Sequence, residues 1–242
     1  MRSRALALWL IFLFVFATQL ACYCLALGLA DYSRRALYTK FTAGTAERRE
    51  VKGLPYAESI NKAGALYDVS PELIAAVIKA ESSFEPKALS KAGAYGLMQV
   101  IPGTWRQVNR QALICHGRHD GECSSDCFYN PELNIGVGTS YLSQLSKRYE
   151  GRREWVVAAY NAGPGAVDKY GGIPPYAETT EYVDRVVEYW YQISGQLPPG
   201  GLTAASWETI IKIVGWSCLV TSIALLLLGR YLFRRYRCFR WR

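Results

Sequence analysis

Hydrophobic positions in the middle of the chain recur with helical spacing, and one acidic residue falls in line with them. Ile74, Val77 and Ile78 follow the i, i+3, i+4 period that places side chains on one face of a helix. Glu81, at i+7, continues the same face. The pattern therefore predicts a helix that aims a carboxyl group where a core residue is expected.

The ends of this helix have their own signals. Ser70, Pro71 and Glu72 are typical of an N-cap, a first-turn proline and an acidic first turn. Pro86 prevents extension much beyond Ser82. The same kind of periodicity predicts helices at 134–149, 155–161 and 180–193. No run alternates apolar and polar residues cleanly, as a half-buried strand would, so we expect a mainly α domain.

Two longer apolar stretches lie near the ends of the chain. Residues 5–30 carry no charge, and residues 209–229 carry only Lys212. Each is close to the ~20 residues with which a helix crosses a bilayer. Two membrane spans are the favoured interpretation. A signal cleaved before Asp31, with only the C-terminal span retained, stays open, as does lipidation at Cys22.

Composition divides the chain into six segments. In chain order they are an N-terminal anchor or signal (1–35), a linker (36–53), a folded domain (54–194), a second linker rich in proline and glycine (195–206), a transmembrane helix (207–233) and a basic tail (234–242).

The net charge of +8 comes from the two ends of the chain. Two arginines precede the first apolar stretch and six follow the second, and without them the basic residues equal the 20 acidic ones. A groove for nucleic acid would need its positive charge within the folded part, so no nucleic-acid partner is predicted. Basic residues that flank apolar segments follow the positive-inside rule. They predict an inner-membrane protein with a cytoplasmic tail and a periplasmic domain.

Glu81 is expected near the C-terminus of its helix. The helix dipole disfavours negative charge there, and burial on an apolar face disfavours it too, so both raise the pKa of the carboxyl group. A carboxyl that stays protonated near neutral pH is suited to act as a general acid on a glycosidic oxygen. A last-turn glutamate that faces water is the alternative.

Five short motifs follow one another in the folded domain: "ESSF" with Pro86, "GAYGLMQ", "NPELNIGVGTSYL", "AYNAG" and "ETTEYV". In this order they resemble the successive motifs of the lytic transglycosylases, whose catalytic domain has the goose-type lysozyme fold. The resemblance covers about residues 55–191. It implies cleavage of the β-1,4 bond between N-acetylmuramic acid and N-acetylglucosamine in peptidoglycan.

The resemblance also implies a role for individual residues. Glu81 corresponds to the single catalytic acid/base of the family, and Tyr182 is expected in the core. The implied substrate-binding residues line the site, support it or face the sugar, and they are Ser90, Met98, Gln99, Tyr160, Asn161 and Glu178.

One carboxyl group suffices in the implied reaction, whereas a hydrolytic glycosidase usually needs two. Glu81 protonates the leaving oxygen, and the N-acetyl carbonyl of the substrate assists at the anomeric carbon. Glu81 then accepts the proton of the C6 hydroxyl, which closes a 1,6-anhydro ring without a metal or cofactor. The alternatives are a lysozyme-like muramidase and a non-catalytic peptidoglycan-binding scaffold. Service to a secretion or conjugation complex is a further hypothesis.

The stretch after "GLMQ" is longer than the family usually has at this place. It carries Cys115, Cys123 and Cys127 together with His116 and His119. One disulfide that uses Cys115 is favoured, because the compartment is oxidising and Cys123 with Cys127 would close a very short loop. Zinc held by cysteine and histidine is the alternative, and no metal is predicted. An odd thiol remains in either case.

A reporter that is active only outside the cytoplasm tests the orientation. Fused after Gly195 it is expected to be active, and fused after Arg242 inactive, because the basic tail stays on the cytoplasmic side. Activity of the Arg242 fusion would contradict a C-terminal membrane span.

Overall fold

A computed structural model describes residues 2–43, 50–112, 114–115, 123–201 and 204–238. Within these residues the chain forms ten α-helices, and a 3₁₀ turn covers Pro199–Gly201. The helices are α1 (Arg2–Ala43), α2 (Ala57–Tyr67), α3 (Pro71–Ser82), α4 (Pro102–Ala112), α5 (Ser125–Tyr129), α6 (Pro131–Arg148), α7 (Arg153–Ala162), α8 (Pro164–Tyr170), α9 (Ala177–Ser194) and α10 (Ala204–Cys238). The expected mainly α architecture is confirmed.

The four helices predicted from periodicity are α3, α6, α7 and α9, with ends that differ by a few residues. The N-terminus of α3 has the predicted cap: the Ser70 hydroxyl oxygen accepts a hydrogen bond from the Leu73 N–H at 3.2 Å. Asn130 caps α6 in the same way, accepting from the Leu133 N–H at 3.1 Å. Both caps precede a proline at the first helical position, where a missing N–H costs nothing.

The chain divides into two compact units, Ala36–Pro198 and the pair Met1–Arg35 with Pro199–Arg242. The second unit holds the long apolar parts of α1 and α10, and both helices are long and apolar enough to cross a membrane. Inside this unit the Gln19 side-chain amide donates a hydrogen bond to the Thr221 hydroxyl. A polar contact of this kind is one of the forces that hold helices together in lipid.

The core of the unit Ala36–Pro198 forms around α3. Every residue of α3 from Pro71 to Ile78 is buried, and the helix packs along α9. Helix α6 packs against α2, α4, α5 and α7, and most of its residues from Leu133 to Leu145 are buried. The end of α3 that carries Glu81 therefore emerges from the most enclosed part of the unit.

The prediction of a linker from residue 36 is wrong for its first part, because α1 continues to Ala43. Phe41 is fully buried, with its ring edge-on to Trp190 at a centroid distance of 5.3 Å. The Leu37 carbonyl oxygen accepts a hydrogen bond from the Tyr191 hydroxyl at 3.1 Å. Two apolar residues four positions apart are too short a stripe to recognise, and their partners on α9 are remote in the sequence.

The other predicted boundaries differ less from the structure. The C-terminal helix begins at Ala204 and runs to Cys238, rather than covering 207–233. The compact unit extends beyond the predicted domain 54–194 on both sides. Val51, for example, is buried, and its backbone N–H and C=O both bond to the side-chain amide of Asn61 at 3.0 and 3.1 Å.

Gly138 of α6 allows the segment before α4 to approach this helix closely. A Cβ atom at Gly138 would lie 2.5 Å from the Met98 Sδ atom, well inside van der Waals contact. Met98 is fully buried, so it has no open space into which to move.

We expect Gly138→Ala to destabilise the fold. Overpacking of a core costs about 1–3 kcal/mol, which exceeds the gain of up to ~1 kcal/mol from the better helix propensity of alanine. Thermal unfolding of the full chain in detergent measures the effect. Gly103→Ala in α4 is the matched control, because a Cβ atom there meets nothing within 4 Å. A Gly138→Ala variant as stable as the Gly103→Ala variant would contradict the packing argument.

Candidate active site

Glu81 lies in the last turn of α3, directly before a sharp change of chain direction. Ser83 and Phe84 follow with φ angles of 52° and 67°, in the left-handed region that residues other than glycine rarely adopt. Ser82 lies between Glu81 and this turn, and its hydroxyl donates to the Leu97 carbonyl oxygen at 2.8 Å. Tertiary contacts thus hold the backbone around Glu81 in an uncommon conformation, as is frequent at functional sites.

The carboxyl group of Glu81 meets a buried tyrosine of α9. The Tyr182 hydroxyl donates a hydrogen bond to Glu81 Oε1 at 2.6 Å, and Tyr182 is only 2% exposed. Burial raises the pKa of Glu81 from 4.5 to about 7, although the Tyr182 hydrogen bond and the charge of Arg185 both lower it. Removal of the carboxylate from water outweighs the two stabilising contacts. The group is therefore partly protonated near neutral pH.

Two tyrosine hydroxyl groups near Glu81 stay neutral. Burial, followed by the charge of Glu81, raises the pKa of both Tyr160 and Tyr182 well above 10. A phenol with such a pKa donates hydrogen bonds at any physiological pH but does not act as a base. Glu81 is consequently the group of this trio that changes its protonation state near neutral pH.

The segment between α3 and α4 folds back over the end of α3. Tyr95 forms isolated antiparallel bridges with Leu89 and with Val100, so the chain makes two tight reversals. We call residues 88–100 the cleft loop. Its Leu97 and Met98 are fully buried, whereas Gln99 between Met98 and Val100 is only partly buried.

Ser90 and Gln99, both predicted in the site, hold the backbone of the cleft loop. The Ser90 hydroxyl oxygen accepts a hydrogen bond from the Ala94 N–H at 3.0 Å. The Gln99 side-chain amide donates to the Ala88 and Gly96 carbonyl oxygens at 3.1 and 2.9 Å. Gln99 itself has a φ of 47°, so these two bonds support a residue in the left-handed region.

Helices α6 and α7 fix the position of Met98. The Tyr160 hydroxyl of α7 donates to the Met98 carbonyl oxygen at 2.9 Å. The Met98 N–H donates to Asn134 Oδ1 of α6 at 2.8 Å. The structure thus brings Tyr160 against Met98 and within electrostatic reach of Glu81.

The remaining two predicted residues lie less centrally. Asn161 is partly buried in the last turn of α7, and Glu178 is exposed in the first turn of α9. Neither side chain makes a hydrogen bond or ion pair within the part of the chain that the structure describes. Glu178 precedes Tyr182 by four residues on the same helix, so the two share a face.

Sequence reasoning missed two residues of this site. Tyr182 was expected only in the core, yet it is both buried and bonded to Glu81. Asn134 is fully buried, and besides Met98 its amide bonds to the Tyr95 and Phe128 carbonyl oxygens at 2.8 and 2.9 Å. A polar residue next to the core positions Leu133 and Ile135 is the signal that could have found it.

The cysteines of the insertion lie together beside α4. The Sγ atoms of Cys115, Cys123 and Cys127 are all within 4.8 Å of one another, and all three are thiols in the structure. His116 and His119 lie outside the described residues. The disulfide that uses Cys115 stays a prediction.

A family comparison agrees with this geometry. The profile of the transglycosylase SLT domain matches residues 58–183, about half of the chain. The chain belongs to this family. The matched region contains Glu81, the cleft loop and Tyr182, and Arg185 lies two residues beyond its end.

Curated relatives of the SLT domain are enzymes of murein cleavage. A "Membrane-bound lytic murein transglycosylase C" of Actinobacillus pleuropneumoniae is 38% identical over 146 residues, which cover 57% of this chain and 38% of the relative. A "Soluble lytic murein transglycosylase" of Salmonella typhimurium is 35% identical over 135 residues, which cover 50% of this chain and 20% of the relative. The chain thus spans well under half the length of both.

Solved structures show the same fold. The 70 kDa soluble lytic transglycosylase of Escherichia coli superposes with a TM-score of 0.53 at 30% identity, covering 64% of this chain and 26% of that one. An inactive mutant of the lytic transglycosylase Slt of Pseudomonas aeruginosa gives a TM-score of 0.51 at 28% identity over 60% of this chain and 25% of that one. The lysozyme-like fold expected from the motifs is therefore confirmed.

The raised pKa of Glu81 predicts a dependence of stability on pH. A carboxyl whose pKa rises from 4.5 to about 7 on folding binds more protons in the native state. Stability is therefore lost as pH rises from about 4.5 to about 7, by up to roughly 3 kcal/mol. Glu81→Gln removes this loss, so we expect the variant to match the wild type at pH 4 and to unfold at a higher temperature at pH 8.

The matched control is Glu85→Gln, because Glu85 is exposed. Its oxygen accepts a hydrogen bond from the Lys87 N–H, which an amide oxygen also accepts. This variant should follow the wild type at both pH values. Equal stabilisation of both variants at pH 8 would mean that burial of the Glu81 carboxyl is not the cause.

Proposed function

We propose that this chain is a lytic murein transglycosylase that cleaves the β-1,4 bond between N-acetylmuramic acid and N-acetylglucosamine and leaves a 1,6-anhydromuramoyl end. The observation that carries the proposal is the Glu81 carboxyl, which has a pKa of about 7 and a hydrogen bond from Tyr182. This group lies in an SLT domain whose curated relatives are lytic murein transglycosylases.

In the first step Glu81 acts as a general acid. It donates its proton to the glycosidic oxygen, the bond from that oxygen to C1 of the muramoyl residue breaks, and the N-acetylglucosamine side leaves as an alcohol. The N-acetyl carbonyl oxygen of the muramoyl residue bonds to C1 and takes up the developing positive charge. A carboxyl with a pKa near the working pH is efficient in this role, because it is protonated in a large fraction of molecules.

In the second step the Glu81 carboxylate acts as a base. It accepts the proton of the C6 hydroxyl group of the same sugar, the O6 atom bonds to C1, and the bond from C1 to the carbonyl oxygen breaks. The Tyr182 hydroxyl donates to Glu81 throughout, and this bond is stronger when the acceptor is charged. Tyr182 therefore stabilises the carboxylate that forms between the two steps.

The surroundings of Glu81 favour a mechanism with one carboxyl group. The side chains that shift its pKa are Tyr182 and Arg185, and neither is a carboxylate. Glu85 and Glu178 are exposed. A hydrolase of the usual kind would place a second carboxylate across the scissile bond, whereas the substrate supplies the second group in the proposed reaction.

The apolar parts of α1 and α10 support a location in the inner membrane, with the SLT domain in the periplasm where peptidoglycan lies. The arginine-rich tail supports this orientation, and one of the matched relatives is a membrane-bound enzyme. We extend the proposal to local opening of the wall for a secretion or conjugation complex, because an anchored enzyme cleaves only the wall within its reach.

Glu81→Gln tests the chemistry. The amide keeps the size of the side chain and accepts the Tyr182 hydrogen bond but carries no acidic proton. We expect the release of muropeptides from purified sacculi to fall by well over the ~10²-fold typical of one general acid–base group, because Glu81 serves both steps. The full chain in detergent and a helical circular dichroism spectrum provide the activity and the fold control.

The products identify the reaction. Mass spectrometry of wild-type products should show muramoyl ends that lack one water relative to reducing ends. Reducing ends would indicate a muramidase instead. A folded wild-type protein that binds sacculi but releases no product would indicate a non-catalytic scaffold. Full activity of Glu85→Gln is expected, and substantial activity of Glu81→Gln would move the catalytic role to another residue.

A further inference from the structure

Three cysteine thiols converge at one point outside the catalytic site. The Sγ atoms of Cys115, Cys123 and Cys127 all lie within 4.8 Å of one another. Cys115 and Cys127 are 3% and 8% exposed and belong to the hydrophobic core. The three sulfur atoms come from three separate positions in the chain. An explanation of their convergence has to account for all three.

The spacing of the sulfur atoms is compatible with one shared metal ion. Zinc binds thiolates at about 2.3 Å in a tetrahedron, which places neighbouring sulfur atoms about 3.8 Å apart. The three sulfur atoms lie within 4.8 Å of one another, a limit that includes this spacing. A disulfide would bond two of the sulfur atoms and leave the third cysteine as a thiol next to the disulfide.

Asn109 of α4 makes contacts typical of the outer shell of a thiolate site. Its side-chain N–H approaches the Cys123 sulfur at 3.8 Å, and its Oδ1 accepts the Cys115 N–H at 2.8 Å. Outer groups of this kind orient metal ligands and stabilise their negative charge. The side chain of Asn109 thus orients two of the three cysteines, Cys115 and Cys123.

The charge of a cation also suits the cluster. Coordination deprotonates bound thiols, and a divalent ion balances the negative charge of the thiolates that result.

We propose that Cys115, Cys123 and Cys127 form a three-thiolate site for a soft divalent cation, with zinc as the natural occupant. Three thiolates fill three of the four positions of a tetrahedral ion. Their identity as ligands follows from the convergence of the sulfur atoms and from Asn109, and it does not depend on the reaction at Glu81.

The site would brace the cleft loop. Cys127 is followed by Phe128, whose ring packs against Trp105 and Tyr95 at centroid distances of 4.9 and 5.1 Å. The Phe128 carbonyl oxygen shares the Asn134 amide with the Tyr95 carbonyl oxygen. A metal that fixes Cys127 therefore fixes α5, and α5 supports the loop that carries Met98 and Gln99.

The test uses the full chain, purified in detergent without chelator and analysed for metal by elemental mass spectrometry. We expect about one zinc per chain. After removal of zinc by a chelator, added Co²⁺ should produce the intense near-ultraviolet absorption of sulfur-to-cobalt charge transfer. Chelation should also lower the temperature of thermal unfolding, and zinc should restore it.

Single variants identify the ligands. Cys115→Ser, Cys123→Ser and Cys127→Ser should each lose most of the bound metal, whereas Cys24→Ser in the exposed part of α1 should keep it. If a ligand variant fails to fold, the cobalt spectrum of the wild type still decides, since its intensity reports the number of thiolates bound.

Two results would overturn the proposal. One is a wild-type protein without metal in which alkylation after unfolding finds two thiols fewer than in the reduced sample, which would establish the disulfide. The other is a protein without metal and without cobalt absorption in which every thiol is alkylated. Both readouts are independent of activity on murein, so the metal site can fail while the transglycosylase proposal stands, and the reverse.

Discussion

The carboxyl group of Glu81 is largely removed from water at the end of a buried helix, and the rest of the site is arranged around the consequences. Burial raises the pKa of Glu81 to about 7, which gives the group two accessible protonation states near neutral pH. The fold must then stabilise a charge in a place that disfavours it. Tyr182, 101 residues away in the chain, does so with one short hydrogen bond. The tight packing of α3 along α9 is what brings the two side chains together.

The cleft loop, like Glu81, is held by hydrogen bonds from side chains that are distant in the sequence. Its backbone includes Gln99, a non-glycine residue with φ in the left-handed region. Ser82, Asn134 and Tyr160 hold the loop from three different helices. Asn134 makes two bonds to the loop, accepting from the Met98 N–H and donating to the Tyr95 carbonyl oxygen. Together with Ser82 and Tyr160 it fixes both sides of Met98. Pre-organised contacts of this kind keep reacting groups in place without a cost at the moment of reaction. The cysteine cluster extends the same support one step further, through α5 to Asn134.

Much of this protein follows from local patterns in its sequence. The period of apolar residues locates α3, α6, α7 and α9, and Ser70 with Pro71 marks the start of α3. Glu81 stands out because a carboxyl on an apolar stripe conflicts with its surroundings, and such conflicts are expected at functional sites. The apolar lengths at the two ends and their flanking arginines indicate membrane segments. These signals are readable because each depends on residues within a few helical turns.

The sequence by itself determined α3, α6, α7 and α9, the two apolar end segments, the family and the acidic residue, because periodicity and ordered motifs are local properties. Only the tertiary structure decided which hydroxyl donates to Glu81, that Asn134 joins α5 to the cleft loop, and that Leu37 and Phe41 dock instead of forming a linker. It also decided that three cysteines of the insertion converge. These features pair residues that are distant in the chain, and the geometry that unites them exists only when the helices pack.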